Sequence, residues 1–336
     1  MSVPKLFTAT GVGLAALLAL TGCGSAQAQP EETAQPAATT VTVEDNNGTH
    51  EIVTPPTSVV ATDNRTFQTL DDWGIELSAG AVSLMPESVS YKTNDSIIDL
   101  GSHREPDLES VVAVQPDLII NGQRFAQHHE ALASLVPDAT ILELDPRDGE
   151  PFDAELKRQV TVLGEVFGKQ TEAQKLVDDF DAAVERARAA YNGTDPVMAV
   201  ITSGGEIGYV APTTGRTLGP IFDILGLQPS LEIDNASEDH QGDDISVEAI
   251  AKSNPAWILV MDRDAVFAAE DPSYQQAATI LEDTEALAPV TAVSKGQIIY
   301  MPTETYLNEG IQTYTKFLND FAEALENSKA LENDAQ

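Results

Sequence analysis

The chain has 336 residues, 54 Asp+Glu against 18 Lys+Arg, and a formal net charge of −36 at pH 7. That balance argues against nucleic acid and anionic lipid as partners, since like charges repel. At 42% hydrophobic residues the chain can still build ordinary cores, and its length suits two lobes.

In chain order, Lys5 gives a thin positive start and residues 12–20 a short apolar run, too short for a membrane-spanning helix. Leu20-Thr21-Gly22-Cys23 follows directly. Cys23 is the single cysteine, so an intrachain disulfide, a cysteine zinc cluster and a Cys-His nucleophile pair are all excluded. Residues 24–40 are rich in Ala, Gln, Pro and Thr and read as a tether reaching at most about 60 Å. Residues 41–53 alternate around Asn47-Gly48, which predicts a hairpin. A strand is expected at 57–62, and a helix at 65–74 closed by Gly74. Residues 107–116 predict a short helix stopped by Pro116, and 117–121 a continuous apolar run suited to a parallel strand. A helix over 123–134 and a strand over 139–144 follow.

Residues 152–191 hold no strand-like segment. Leu176, Val177, Phe180, Val184 and Ala187 fall on one helical face. A helix of about 20 residues spans about 30 Å, enough to bridge two lobes. Beyond it the alternation resumes, with strands at 196–202, 256–261 and 296–301 and helices at 216–226, 246–255 and 308–327. The expected organisation is a leader (1–22), Cys23 and tether (23–40), an N-terminal lobe (41–151), bridging helices (152–193) and a C-terminal lobe (194–330). The fold class is α/β, two Rossmann-like lobes with mainly parallel sheets joined by a single long α-helix.

A shift of 139 residues carries Glu109 onto Glu248, Pro116 onto Pro255 and Arg124 onto Arg263. Helix, proline, apolar strand and arginine recur in both stretches. In open parallel sheets, ligands bind beyond the carboxyl ends of the strands, and Arg124 and Arg263 stand just past two such ends. Arg216, in "APTTGRTLG", opens a helix after the glycine-rich turn "TSGGEIGYV". Three guanidinium groups, always charged and fork-shaped, suit an anionic, oxygen-rich ligand such as a ferric catecholate. A hydrolase is disfavoured, because "TSGGEIG" is not a nucleophile elbow and no Ser, His and Asp trio has a recognisable spacing. No glycine run leads into a Lys-Ser or Lys-Thr pair for phosphate. Zinc is disfavoured too, since the adjacent His128 and His129 point apart on a helix.

"LTGC" resembles the lipobox of bacterial lipoproteins, in which the cysteine is lipidated. With "DNRTFQTLDDWG", "EPDLESVVAVQPDLII", "SVEAIAKSNPAWILV" and "YMPTETYLNEG", the chain over about 41–326 resembles the helix-linked substrate-binding lipoproteins of ABC importers. That family delivers iron-siderophores, haem and cobalamin. The resemblance implies an extracytoplasmic, monomeric receptor, lipid-anchored at Cys23, with ligand held between the lobes and handed to an ABC permease; it implies no enzyme activity and no intrinsic cofactor. The Arg124, Arg216 and Arg263 set resembles the catecholate branch, which implies His240 and Tyr306 as further ligands to the ferric iron of the bound siderophore. A ferric hydroxamate, haem or cobalamin is the alternative cargo. Here Gln123 intervenes between Gly122 and Arg124, and Gln241 between His240 and Gly242, where the family's glycine is adjacent. The same comparison implies pocket contacts from Arg65, His103 and Arg104, and permease docking through Glu109 and Glu248.

Overall fold

The computed structural model describes residues 39–334, so the leader, Cys23 and the tether up to residue 38 lie outside the described residues. Strands β1 (Thr39–Glu44) and β2 (Thr49–Thr54) form the antiparallel hairpin, whose register closes on Glu44 opposite Thr49. The Asp45 carboxylate accepts the N–H groups of Asn47 and Gly48 in its turn.

The chain then alternates. It runs through β3 (Val59–Ala61), α1 (Phe67–Asp72), β4 (Ala79–Gly80), β5 (Ile98–Asp99), α2 (Leu108–Val114), β6 (Leu118–Asn121), α3 (His129–Leu135) and β7 (Thr140–Glu143). Five of these strands make one all-parallel sheet in the order β5-β4-β3-β6-β7. β6 is buried at every position, which is why it reads as an unbroken apolar run.

Residues 152–190 fold as two helices, α4 (Phe152–Phe167) and α5 (Gln170–Ala190), broken at Gly168, which takes the left-handed conformation at φ 66°. Both serve the two largest cores. Leu156 and Val160 of α4 pack with the C-terminal half, and Val162, Leu163 and Val166 with the N-terminal half. Phe180, Val184 and Ala187 of α5 join the first of these cores, and Ala173 the second. The connection is thus shared by a helix pair rather than the single long helix expected, because the left-handed Gly168 breaks it, and the apolar face expected on α5 is the buried one.

The second half holds β8 (Pro196–Ser203), β9 (Glu206–Val210), α6 (Gly219–Leu225), β10 (Gln228–Pro229), β11 (Asp243–Asp244), α7 (Val247–Ser253), β12 (Trp257–Asp262), α8 (Ala277–Glu282), α9 (Thr291–Lys295), β13 (Ile298–Tyr300) and α10 (Ile311–Asp334). Its sheet runs β11-β9-β8-β12-β13, with β10 on β8. The β8, β12, β13 and β10 pairings are parallel, whereas β9 is antiparallel to both β8 and β11. The glycine-rich turn is therefore a hairpin. Gly204 and Gly205 take φ 62° and 82°, which side-chain-bearing residues avoid.

The internal repeat has a backbone counterpart. Asp107 caps α2 by accepting from the N–H of Ser110, and Ser246 caps α7 by accepting from that of Ala249. Both helices end in a left-handed residue, Gln115 at φ 46°, ψ 62° and Asn254 at φ 47°, ψ 60°. A proline and a buried strand follow in each case.

Candidate functional site

Beyond the carboxyl ends of β6 and β12 the chain turns so that two arginines face one aromatic ring. After β6, Gly122 is extended and lies against two carboxylates: a Cβ there would sit 2.9 Å from Asp63 Oδ2 and 3.1 Å from Asp145 Oδ2. The extra residue, Gln123, takes φ 49° and donates its N–H to both oxygens of Asp145, at 2.9 and 2.8 Å. Arg124 then points inward. Its Nη2 donates to the Tyr306 carbonyl at 3.2 Å, and its guanidinium carbon lies 4.8 Å from the Tyr306 ring centre. Arg216 and Arg263 each lie 5.0 Å from that centre. The three arginines and Tyr306 expected from the sequence are thus brought together, with the aromatic ring at their meeting point.

Burial pulls the Tyr306 phenol upward. The guanidinium groups of Arg263 and Arg124 beside it, with the charge of Arg216, outweigh it and leave the group below the usual tyrosine range. Burial lowers Arg124 itself, whose Nη1 has no hydrogen-bond partner among the described residues. Arg263 Nη1 donates to Ser203 Oγ at 3.1 Å and to Asp264 Oδ1 at 2.9 Å.

Arg216 is held by a carboxylate that sequence reasoning missed. Glu309 is buried and accepts from Arg216 Nη2 at 2.9 Å and from the hydroxyl of Thr217. Burial opposes its charge, but Arg216 and Arg65 hold the carboxyl down at about 2. Its other neighbour is Gln123, whose Nε2 donates to it at 3.4 Å across the cleft. Arg65 lies in the floor, with Nη1 2.7 Å from Asp145. Asp63 is fully buried beside them; burial, then the charge of Asp145, pushes its carboxyl up to about 7.

A cavity of about 610 Å³ opens onto this set, lined among others by Arg65, Gln123, Arg124, Arg147, Thr214 and Arg216. A second, of about 530 Å³, is lined among others by Met85, Lys92, Phe267 and Leu307. Phe267, also missed, is 55% exposed and meets Tyr306 edge-on at 5.4 Å.

The remaining expected residues are placed differently. His103 is half-buried next to this set, its Nδ1 unpartnered among the described residues; burial, then Arg124, lowers its pKa. Arg104 is exposed. His240 is exposed on the 234–242 loop, its Nδ1 3.8 Å from Asp239, and lines neither cavity. His128 Nε2 lies 2.8 Å from the His103 carbonyl oxygen, and His129 Nδ1 lies 3.1 Å from Glu143, so the two histidines do point apart. Glu109 and Glu248 are exposed in the first turns of α2 and α7.

A family model described as periplasmic binding protein matches residues 59–305. The ferric-anguibactin-binding protein FatB of Vibrio anguillarum is 31% identical over 262 residues, 77% of this chain and 79% of the relative. The petrobactin-binding protein YclQ of Bacillus subtilis is 25% identical over 329 residues, 96% of this chain and 99% of the relative. The crystal structure of the periplasmic catecholate-siderophore binding protein VctP of Vibrio cholerae superposes with a TM-score of 0.72 at 22% identity, covering 86% of this chain and all of the other. That likeness shows the same fold. A matched segment that spans both sheets and the arginine-ringed cleft between them makes this chain a member of the periplasmic binding protein family.

Proposed function

We propose that this protein is a receptor that binds an anionic ferric-siderophore in the cleft and delivers it to an ABC permease. The observation that carries the reading is the convergence of Arg124, Arg216 and Arg263 on Tyr306. Guanidinium groups donate in pairs to the paired oxygens of a catecholate and stay charged in a half-buried site. The names of the relatives, a ferric-anguibactin-binding protein and a petrobactin-binding protein, support the same ligand class.

On this reading Arg65, His103 and Arg104 complete the ligand contacts. Tyr306, held low by its arginines, offers a hard phenolate oxygen to ferric iron. His240 reaches the iron by movement of its exposed loop. Glu109 and Glu248, matched in the repeat and displayed on two helices, dock the permease. The lobes at 41–151 and 194–330 close only slightly about the rigid helix pair, and lipidation of Cys23 holds the monomer at the outer face of the cell membrane.

Titration of the full chain with the ferric complex of a bis-catecholamide tests the ligand class. Quenched intrinsic fluorescence and a bound-state charge-transfer band are expected. Failure to bind it, with binding of haem or a ferric trihydroxamate instead, sinks the catecholate reading. Tyr306→Phe and His240→Ala test direct iron ligation, which requires that each shift the visible band.

A further inference from the structure

The three guanidinium groups around Tyr306 are unequally compensated. Arg216 pairs with Glu309 at 2.9 Å and Arg263 with Asp264 at 2.9 Å. Among the described residues Arg124 makes no ion pair, and its Nη1 and the Nε of Arg263 are buried without acceptors. With the Tyr306 phenol protonated before ligand arrives, three positive charges and two negative ones leave a single net positive charge at the ring. The Arg65 charge below adds no surplus, since it faces Asp145 at 2.7 Å as well as the buried Asp63 and Glu309. The adjoining cavity adds no further cation surplus: its one other arginine, Arg147, pairs with Glu155, and Asp148, Glu150 and Glu238 also line it.

We infer that the cleft selects ferric complexes by their charge, taking a monoanion in preference to a trianion. The inference rests on the reading of the cleft as a ferric-siderophore site. Ferric iron held by two catecholates is a monoanion, by three a trianion, and by three hydroxamates neutral. A monoanion matches the one surplus charge and accepts the spare donors of Arg124 and Arg263. A trianion brings two more negative charges against Glu309 and Asp264, in a half-buried place where screening is weak. The surrounding charge of −36 adds to the repulsion. Glu309 and Asp264 thus act as charge-setting residues, holding the arginines in place while subtracting from their pull on ligand.

The full chain is titrated with three probes: the ferric complexes of a tetradentate bis-catecholamide, a hexadentate tris-catecholamide and a hexadentate trihydroxamate. The monoanion is expected to bind at least about tenfold tighter than the trianion. Asp264→Asn and Glu309→Gln are each expected to favour the trianion severalfold relative to the monoanion, whatever common shift the loosened arginines impose on both. Glu309 is buried, so circular dichroism and a thermal melt accompany that variant. Asp264 stands nearer solvent, with 18% of its side chain exposed, and keeps the test alive if Glu309→Gln fails to fold. A trianion that binds as tightly as the monoanion overturns the charge selection and leaves the site reading standing. Equal shifts of both complexes in the variants overturn the role of the two carboxylates. If neither catecholate complex binds and the trihydroxamate does, the site reading itself fails.

Discussion

At Gly122 the constraint is space. The residue is extended, so no left-handed strain enters, but a methyl group there would press on the Asp63 and Asp145 carboxylates at 2.9 and 3.1 Å. Gly122→Ala should cost about 1–3 kcal/mol in urea unfolding, as overpacking does, and should weaken ligand binding by displacing Arg124. Asp63 supplies a pH signature. Its folded carboxyl sits at about 7 against an ordinary 3.8. Between those values the folded state holds more protons than the unfolded one, so this group makes stability fall as pH rises through that window. Asp63→Asn should flatten that part of the curve, and chemical denaturation at a series of pH values between about 4 and 7 checks it. Glu309 has the opposite sign: its stabilisation is present above about 4.5 and is lost as pH falls toward 2. The arginines of the site were legible because cations are scarce in this chain, 18 against 54 carboxylates. Their partners were not, for the same reason: nothing in the sequence separates Glu309 from the other acids. Asp264 adjoins Arg263 in the chain, and that adjacency was the one available signal.

At the scale of elements, the two helix-proline-strand units show how alike positions differ in detail. Gln115 and Asn254 share the left-handed conformation, which costs a side-chain-bearing residue about 1–2 kcal/mol. Asn254 offsets it, since its Oδ1 accepts from the N–H and hydroxyl of Thr291 at 2.9 and 3.1 Å. Among the described residues the Gln115 side chain has no hydrogen-bond partner, and its backbone N–H donates to the Val112 carbonyl. Gln115→Gly should therefore raise stability by about 1 kcal/mol, whereas Asn254→Gly should be neutral or destabilising. Paired thermal melts distinguish the two. The long periodic elements were legible, because apolar spacing and the prolines mark them. The antiparallel β9 and β11, and the two-residue β4, β5 and β10, were not. They are too short to show a period, and their pairing is set by partners far along the chain.

For the whole molecule, the two halves are tied to each other where residues 308–312 meet residues 65–69. Asn308 Nδ2 donates to Gln68 Oε1 at 2.7 Å and Gln312 Nε2 to Thr69 Oγ1 at 3.0 Å, both across to α1. Gly310 comes so close to the Arg65 carbonyl that a Cβ would lie 2.7 Å from it. On the proposed reading the exposed Glu109 and Glu248 present both halves to the permease at once. Glu109→Arg with Glu248→Arg should leave ligand affinity within about twofold and abolish uptake, because exposed charges steer association with a partner and lie outside the cleft. Ligand titration and radiolabelled iron uptake in the same strain check it.

The helix pair and these ties leave little freedom between the halves. An unladen receptor would then present nearly the same face to its transporter as a laden one. When cargo is scarce, the unladen majority occupies transporters without delivering anything. Uptake would be governed by the proportion of receptors carrying cargo, so that producing more receptor at fixed supply slows import.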